Sequence, residues 1–527
     1  MVDMKATNNL GYYLSPWAER APERVAVIDL HGGAERIIDY GTLDRDMTRF
    51  ANVLIAAGMT PGERLVMSVG NRVEFMAAMF GAMRAGVVPV PINTRQGAEV
   101  IDYILADADC RGALIEPAVN GQIAALVEAR GLQVKLILDG VRAGWTDYGT
   151  AMAGAADTLK ARRLDDDHIC FQAYTSGSTG RPKGVPLSHA GQIWWLDCYT
   201  RYWPADPDSR ALVSVPLYHK NAMAGAGKPR LATGGSFVLM PEFDAREFLR
   251  NIAKYRVTSI GGVPTVFSLI LQEEDLLRDL DLRSLKVAVV GSAPVHDELF
   301  EAIKAKLGCP VLQSYGLTEG GPVMLGPPLD GREVPTGSAG TPWPEGEVKL
   351  VDGHGRESDS FGELWVRNPG VIAGYHNLPR VNAERIVDGW VKTGDLFRRD
   401  ADDFYYFAGR TDDMFNCGGE NVYPKEVENL LLSHPAVKEA CVVPVPYGPK
   451  GEAPVAMLSL AKGADATEAE LKRHCLAHGP AYAHPRRIVI VADVPLSGAA
   501  KIDRGRITRE MAELCADLAE TRKGAAS

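Results

Sequence analysis

None of the eight cysteines, at positions 110, 170, 198, 309, 417, 441, 475 and 515, belongs to a CxxC pair, and their spacing makes no even ladder. Zinc sites and a disulfide framework are thereby disfavoured, and the expectation is a reduced, cytoplasmic protein. An excess of basic charge is also missing, since 57 Lys and Arg stand against 67 Asp and Glu, a formal −10. Neither the chain up to Arg410 nor the segment beyond it is a basic module, which argues against nucleic acid gripped over a wide surface. Long apolar runs are absent too. The most apolar stretch, MAAMFGAMRAGVVPVPI from Met76, is broken by Arg84 and two prolines, and the N-terminus has no basic region followed by an apolar run. Neither a membrane span nor a leader peptide is therefore expected. No repeat with a period of roughly 20–50 residues is visible, which removes the solenoids from consideration.

What remains is an ordinary globular mixture, 46% apolar and 24% charged over 527 residues. That length suits two to four domains at roughly 100–200 residues each. The 54 glycines and 33 prolines imply many tight turns. From residue 24 to 316 short apolar runs such as RLVMSV, ICFQAY, ALVSVPLYH, SFVLM and KVAVVGS alternate with amphipathic helical segments. In HDELFEAIKAKL, for example, Leu299, Phe300, Ile303 and Leu307 fall on one helical face. This is a βαβ pattern, so parallel sheets with helices on their faces are expected, with ligands beyond the carboxyl ends of the strands. From 336 to 407 Gly, Pro and Asp separate short strands, which reads as antiparallel β. After GRTDD at 409–413 a new unit begins, with a helix near 424–433, strands near 438–444 and 453–460, and a helix near 467–478. The fold class is thus α/β: a large N-terminal domain, 1–410, of parallel-type sheets flanked by helices plus a distorted antiparallel β subdomain, then a small α+β C-terminal domain, 411–527.

The most informative segment is YTSGSTGRPKG, Tyr174 to Gly184. It follows a strand and gathers the hydroxyls of Thr175, Ser176, Ser178 and Thr179 with Gly177, Gly180 and the cation Lys183. Glycines let backbone amides turn toward one point, hydroxyls add donors, and a lysine supplies mobile positive charge, a set suited to a triphosphate. No Gly-Lys pair closes a Gly-x4 spacing, so it is not a Walker A loop.

This loop resembles the phosphate-binding loop of the adenylate-forming superfamily, which includes acyl-CoA and aryl-CoA synthetases, firefly luciferase and the adenylation domains of peptide synthetases. SYGLTEG at 314–320, GELWVRNPGVIAGYHN, DGWVKTGDL, GRTDDMFNCGGENVYPKEVE and PLSGAAKIDRGRI follow in the family's order, across roughly residues 20 to 510. The resemblance implies two half-reactions: a carboxylate and ATP give acyl-AMP and pyrophosphate, then coenzyme A gives acyl-CoA and AMP. It assigns Thr318 to the α-phosphate, Glu319 to Mg²⁺, Asp395 and Arg410 to the ribose, and Gly291, Ser292 and Ala293 to the adenine side, with Gly291 to Ala293, Tyr315 and Gly316 also lining the acid pocket. Lys501 would place a cation between the incoming carboxylate and the phosphate, where two anions meet. The C-terminal domain would be mobile, swivelling about Asp412 to present Gly418 and Gly419 to the thiol arm. Two departures stand out: Ala500 replaces a common glycine before the lysine, and Asn416 replaces a common lysine.

The acid pocket is assigned by the same likeness to the segment YHKNAMAGAGK, with His219 as its gate and Lys220, Asn221, Met223 and Lys228 along it. No aspartate stands there to hold an amino group, which disfavours an α-amino acid. The expectation is instead that Lys220 or Lys228 faces a second polar or acidic group, since a buried cation needs a partner. The acid is left open as aromatic, fatty or dicarboxylic, and a homodimer is left open as well. An alternative keeps the first step but passes the acyl group to a carrier protein, or oxidises it as a luciferase does. The absence of a fused carrier after Lys501 favours free coenzyme A. A nucleotide-binding regulator and a kinase are the rivals from other classes. His474, Cys475 and His478 have a spacing metals use, but ATEAELKRHCLAHG reads as an amphipathic helix.

Overall fold

The β-branched runs of the first 316 residues pair in parallel, and most hand the chain to a helix that covers the sheet. In the computed structural model, which describes residues 2–175, 181–203, 205–219, 222, 227–291, 295, 297–417, 420–447, 451–496 and 502–520, Val88–Pro91, Arg64–Ser68, Cys110–Ile115, Val134–Ile137 and Thr146–Asp147 form a parallel sheet in that spatial order. A second sheet runs Val311–Gln313, Val287–Val290, Ser259–Gly262, Arg210–Val213, Ser236–Leu239, Val25–Asp29 and Arg36–Asp39, antiparallel only in its last pair. The helices obey their sequence signals. Tyr40–Ala56 starts at Asp39, whose carboxylate accepts the Thr42 N–H at 2.6 Å, and buries Leu43, Met47, Phe50 and Leu54. Each fully buried side chain of this kind contributes about 1.5–3 kcal/mol. On Asp297–Leu307 the expected face is the buried one, with Phe300, Ile303 and Leu307 in the core and Leu299 beside it.

The strand before the hydroxyl-rich loop departs from the βαβ expectation. Ile169–Thr175 pairs antiparallel with Lys183–Ser188, so that Thr175 stands opposite Lys183. Pro186 hides the second strand in the sequence. In a two-stranded ladder both strands are edges, and a residue without an N–H is tolerated there. Ser188 then caps the helix His189–Tyr202, its Oγ accepting the Gly191 N–H at 3.1 Å.

Downstream, Glu347–Val351, Phe361–Arg367, Trp390–Arg399 and Tyr405–Arg410 build an antiparallel sheet, as the Gly/Pro/Asp texture implies. Beyond it come the helix Pro424–Leu432, the antiparallel strands Val437–Pro446 and Glu452–Leu460, and the helix Glu468–His478, each within two residues of its sequence reading. Ile488–Val491 adds a parallel strand, and Asp503 caps the helix Arg504–Leu514 by accepting the Arg506 N–H at 2.9 Å. Among the described residues every buried cluster lies wholly up to Phe407 or wholly from Phe415 onward. No described helix is long and apolar enough to cross a membrane.

Candidate active site

Two of the sequence motifs meet through a third. Lys183, where the chain leaves the hydroxyl-rich loop, holds its ammonium 5.5 Å from the centroid of the Tyr375 ring. The Tyr375 hydroxyl donates to Glu319 Oε1 at 3.2 Å. Burial, then the Glu319 charge, lifts the Tyr375 phenol above the usual tyrosine range. Backbone bonds fix this arrangement: the Ile372 N–H donates to the Glu319 carbonyl at 2.8 Å, and the His376 N–H to the Gly184 carbonyl at 2.9 Å. Gly184 admits that approach because a Cβ there would stand 2.8 Å from Gln172 Nε2 and 3.0 Å from His376 Cβ. Tyr375 stands inside GELWVRNPGVIAGYHN, but nothing in the sequence assigns it a partner.

A second cluster surrounds Asp395, which is 7% exposed. Strand register places Asp395 opposite Arg410, and Arg410 Nη1 donates to Asp395 Oδ1 at 2.9 Å. The Tyr315 hydroxyl donates to the other carboxylate oxygen. Burial raises the Asp395 carboxyl above its ordinary range, while Arg410 and the Tyr315 hydroxyl pull it back. Burial and then Asp395 push the Tyr315 phenol well up. Tyr315 also packs edge-on against Phe397, centroids 4.7 Å apart. Gly394, at φ +75°, keeps the space clear, since a Cβ there would meet Arg385 Nη1 at 2.8 Å and Arg410 Nη2 at 3.1 Å.

The expected hinge residue is tethered to this cluster. Arg385 Nη2 donates to Asp412 Oδ2 at 3.0 Å, and Arg410 Nη2 lies 3.7 Å from the same oxygen. The neighbouring Thr411 N–H donates to the Gly394 carbonyl at 2.8 Å. Nothing in the sequence marks Arg385.

The other expected site residues divide into two groups. Thr318 is half-buried just past the strand Tyr315–Leu317, with Gly316 exposed on that strand. Gly291 follows the strand Val287–Val290 beside the same motif, a Cβ there standing 3.8 Å from the Ser314 carbonyl oxygen. His219 caps a turn, its N–H donating to the Pro216 carbonyl at 3.0 Å, and its ring lies 4.7 Å from that of Tyr218. Lys228 is 4% exposed with its ammonium 4.9 Å above Trp195, and burial lowers it to about 8. Ser176, Gly177, Ser178, Thr179, Gly180, Lys220, Asn221, Met223, Ser292, Ala293, Gly418, Gly419 and Lys501 lie outside the described residues. The described residues flanking two of these segments pair with each other. Phe415–Cys417 pairs with Glu420–Val422 on either side of the two glycines, and Leu496 bridges Ile502 on either side of the lysine.

Glu319 fits a divalent cation: it is a half-buried carboxylate with one oxygen on Tyr375, and among the described residues no cationic side chain pairs with it. The histidines of the C-terminal unit are otherwise engaged. His474 Nε2 lies 2.9 Å from Ser433 Oγ, and Cys475 is buried in the core. Among the described residues the one group with metal-ligand spacing is His31, Glu116 and Asp139, and there the Arg72 guanidinium donates to both carboxylates.

Known proteins share this arrangement over almost the whole chain. The family model described as AMP-binding enzyme matches residues 14–376, and that of the AMP-binding enzyme C-terminal domain matches 426–501. The chain belongs to the AMP-binding enzyme family. A feruloyl-CoA synthase from Amycolatopsis is 34% identical over 498 residues, covering 93% of this chain and 97% of that one. ATP-bound MatB from Rhodopseudomonas palustris superposes with a TM-score of 0.88 at 29% identity, over 96% of this chain and 99% of its own. An anthranilate CoA ligase, AuaEII, solved with anthranoyl-AMP, gives a TM-score of 0.86 at 26% identity over 97% and 98% of the two chains.

Proposed function

We propose that the chain is an AMP-forming acid–CoA ligase with ATP, a carboxylic acid and coenzyme A as substrates. The carboxylate attacks the α-phosphorus of ATP, the bond to the β-phosphate oxygen breaks, and acyl-AMP and pyrophosphate form. The coenzyme A thiolate then attacks the acyl carbon and AMP leaves with the electron pair of the acyl–oxygen bond.

The observation that carries this reading is the buried Asp395 with its acceptor oxygens held toward Tyr315 and Arg410, Tyr315 lying inside the first matched family segment and Asp395 and Arg410 between the two. The ribose diol docks against that carboxylate, and Arg410 closes over the same sugar. Thr318 donates to the α-phosphate, while Thr175 and the hydroxyls of 176–179 hold the outer phosphates with Lys183 balancing their charge. Gly291 to Ala293 and Tyr315 flank the adenine. Lys501 bridges carboxylate and phosphate oxygens in the first step, stabilising charge as it gathers in the transition state. Glu319 would hold Mg²⁺, a hard cation that takes oxygen ligands and neutralises phosphate charge when bound. The unit from 411 to 527 turns about Asp412 between the two steps, withdrawing Lys501 and bringing Gly418 and Gly419 to the thiol arm. His219 and the segment after it face the acyl chain.

The test is product analysis with ATP, magnesium, coenzyme A and a broad panel of carboxylic acids. One AMP, one pyrophosphate and one acyl-CoA are expected per acid consumed. Formation of ADP, or of AMP without any thioester, contradicts the reading.

A further inference from the structure

Lys228 is a buried cation near the proposed acid pocket that the chemistry above leaves unused. It sits on the short helix Lys228–Ala232 and is 4% exposed, yet among the described residues no carboxylate pairs with it. Its ammonium rests on the Trp195 face at 4.9 Å, which holds it in place without neutralising it. An unpaired buried cation is costly, and a protein keeps one where something else supplies the counter-charge.

Two further donors nearby lack acceptors. Among the described residues, the Nε2 group of Gln192, 1% exposed, and the indole Nε1 of the fully buried Trp195 are both without a hydrogen-bond partner. Gln192 and Lys228 line one small recess of about 20 Å³, walled by Met79, Phe171, Leu217 and Tyr218. That volume holds a compact group, about one water in size. The recess adjoins the proposed active centre through Tyr218, and the Trp195 face beneath Lys228 adjoins it separately. Tyr218 lies ring to ring with His219, and Gly321, two residues past Glu319, abuts Trp195, a Cβ there standing 4.0 Å from its Cδ1. A buried cation without a carboxylate partner among the described residues and an unanswered amide donor, both lining one apolar recess, ask for a single kind of occupant: a negatively charged oxygen group carried on a hydrocarbon or aromatic body.

We propose that Lys228, with Gln192, reads a second, distal oxyanion on the acid, so that the enzyme selects bifunctional acids whose far end is a carboxylate or a similarly compact anion. This rests on the ligase reading above and specifies its substrate class. Burial holds Lys228 at about 8, so the ammonium is the prevailing form at neutral pH and gains most from an anionic ligand.

The test compares acids of one skeleton ending in a carboxylate, a carboxamide or a methyl group, read as kcat/KM for AMP release at pH 7. The wild type is expected to prefer the carboxylate-ended acid over the methyl-ended one by about 10- to 100-fold, the scale of a charge-assisted contact. In Lys228→Met the preference collapses or reverses, and in Gln192→Leu it weakens while the order is kept. A wild type that treats the three ends alike overturns the proposal, and so does a Lys228→Met enzyme that loses activity on all of them equally. The wild-type ranking and Gln192→Leu decide the matter even where Lys228→Met does not fold. Turnover of monofunctional acids alone sinks the proposal and leaves the ligase reading standing, whereas no turnover of any acid removes both.

Discussion

Asp395 and Lys228 are both buried charges, and their surroundings differ in kind. Asp395 has Arg410 on one oxygen and the Tyr315 hydroxyl on the other, and Arg410 leads on to Asp412 and Arg385. Lys228 has an aromatic face beneath it and two idle donors for company. The first charge is complete before any ligand arrives, so under the proposed function it is a rigid reference for the part of the substrate that never varies. The second is incomplete, and its cost is recovered only when the variable part of the substrate brings an anion. Preorganisation at the invariant end and an open valence at the variable end are what a ligase with one nucleotide and one characteristic acid requires.

Five substitutions break or sharpen this contrast. The largest effect is expected at Lys501, to which the proposed function gives the cation of the first step. Lys501→Ala is expected to slow acid-dependent pyrophosphate release by about 100- to 1,000-fold, as loss of one transition-state donor does. Thioester formation from supplied acyl-AMP stays largely intact, and equal loss of both steps, measured by single turnover, refutes the assignment. Next comes the complete cluster. Asp395→Ala leaves Arg410 and Tyr315 facing each other without their anion, so KM for ATP rises by about 10- to 100-fold and stability falls by about 1–3 kcal/mol in denaturant titrations. An unchanged KM for ATP would separate Asp395 from the nucleotide.

A smaller effect is expected at the hinge. Asp412→Pro freezes φ and also cuts the contacts to Arg385 and Arg410. It slows the thioester step by about tenfold relative to adenylation if domain rotation gates that step. Arg385→Ala cuts the tether alone and leaves the thioester rate unreduced. Impairment of both steps alike by the proline variant argues against a hinge there.

The smallest effect is a gain. Lys228 sits at about 8 in the fold, below the 10.5 of a free lysine. Between those values the unfolded chain binds more protons than the folded one, so this group makes stability rise with pH from 8 toward 10.5. Below 8 the cation is buried in charged form and its full cost is present. Lys228→Met removes that rise and stabilises the protein at pH 7 by about 1–3 kcal/mol. A destabilised variant with the same pH slope would place Lys228 in an ion pair and end the contrast with Asp395.

Much of this architecture is legible in the sequence because local chemistry declares it. The stripe of Phe300, Ile303 and Leu307 announces its helix without tertiary help. Lys183–Ser188 is not legible, since Pro186 reads as a breaker and its tolerance depends on the strand being an edge. At the site, residues inside a motif are readable and their partners are not. Glu319 and Asp395 stand in recognisable strings, while Tyr375 and Arg385 act by reaching across from other elements. The same holds at the acid end. The lysine is visible in YHKNAMAGAGK, but Gln192 and Trp195 come from the helix His189–Tyr202, where they look like two more residues of a buried face.

The most direct test of the central claim is isotope exchange between pyrophosphate and ATP with coenzyme A left out. If a carboxylate is adenylated before any thiol is needed, labelled pyrophosphate enters ATP only when an accepted acid is present, and the exchange disappears in Lys501→Ala. Exchange that requires coenzyme A, or none with any acid that yields a thioester, contradicts an acyl-adenylate made in a separate first step.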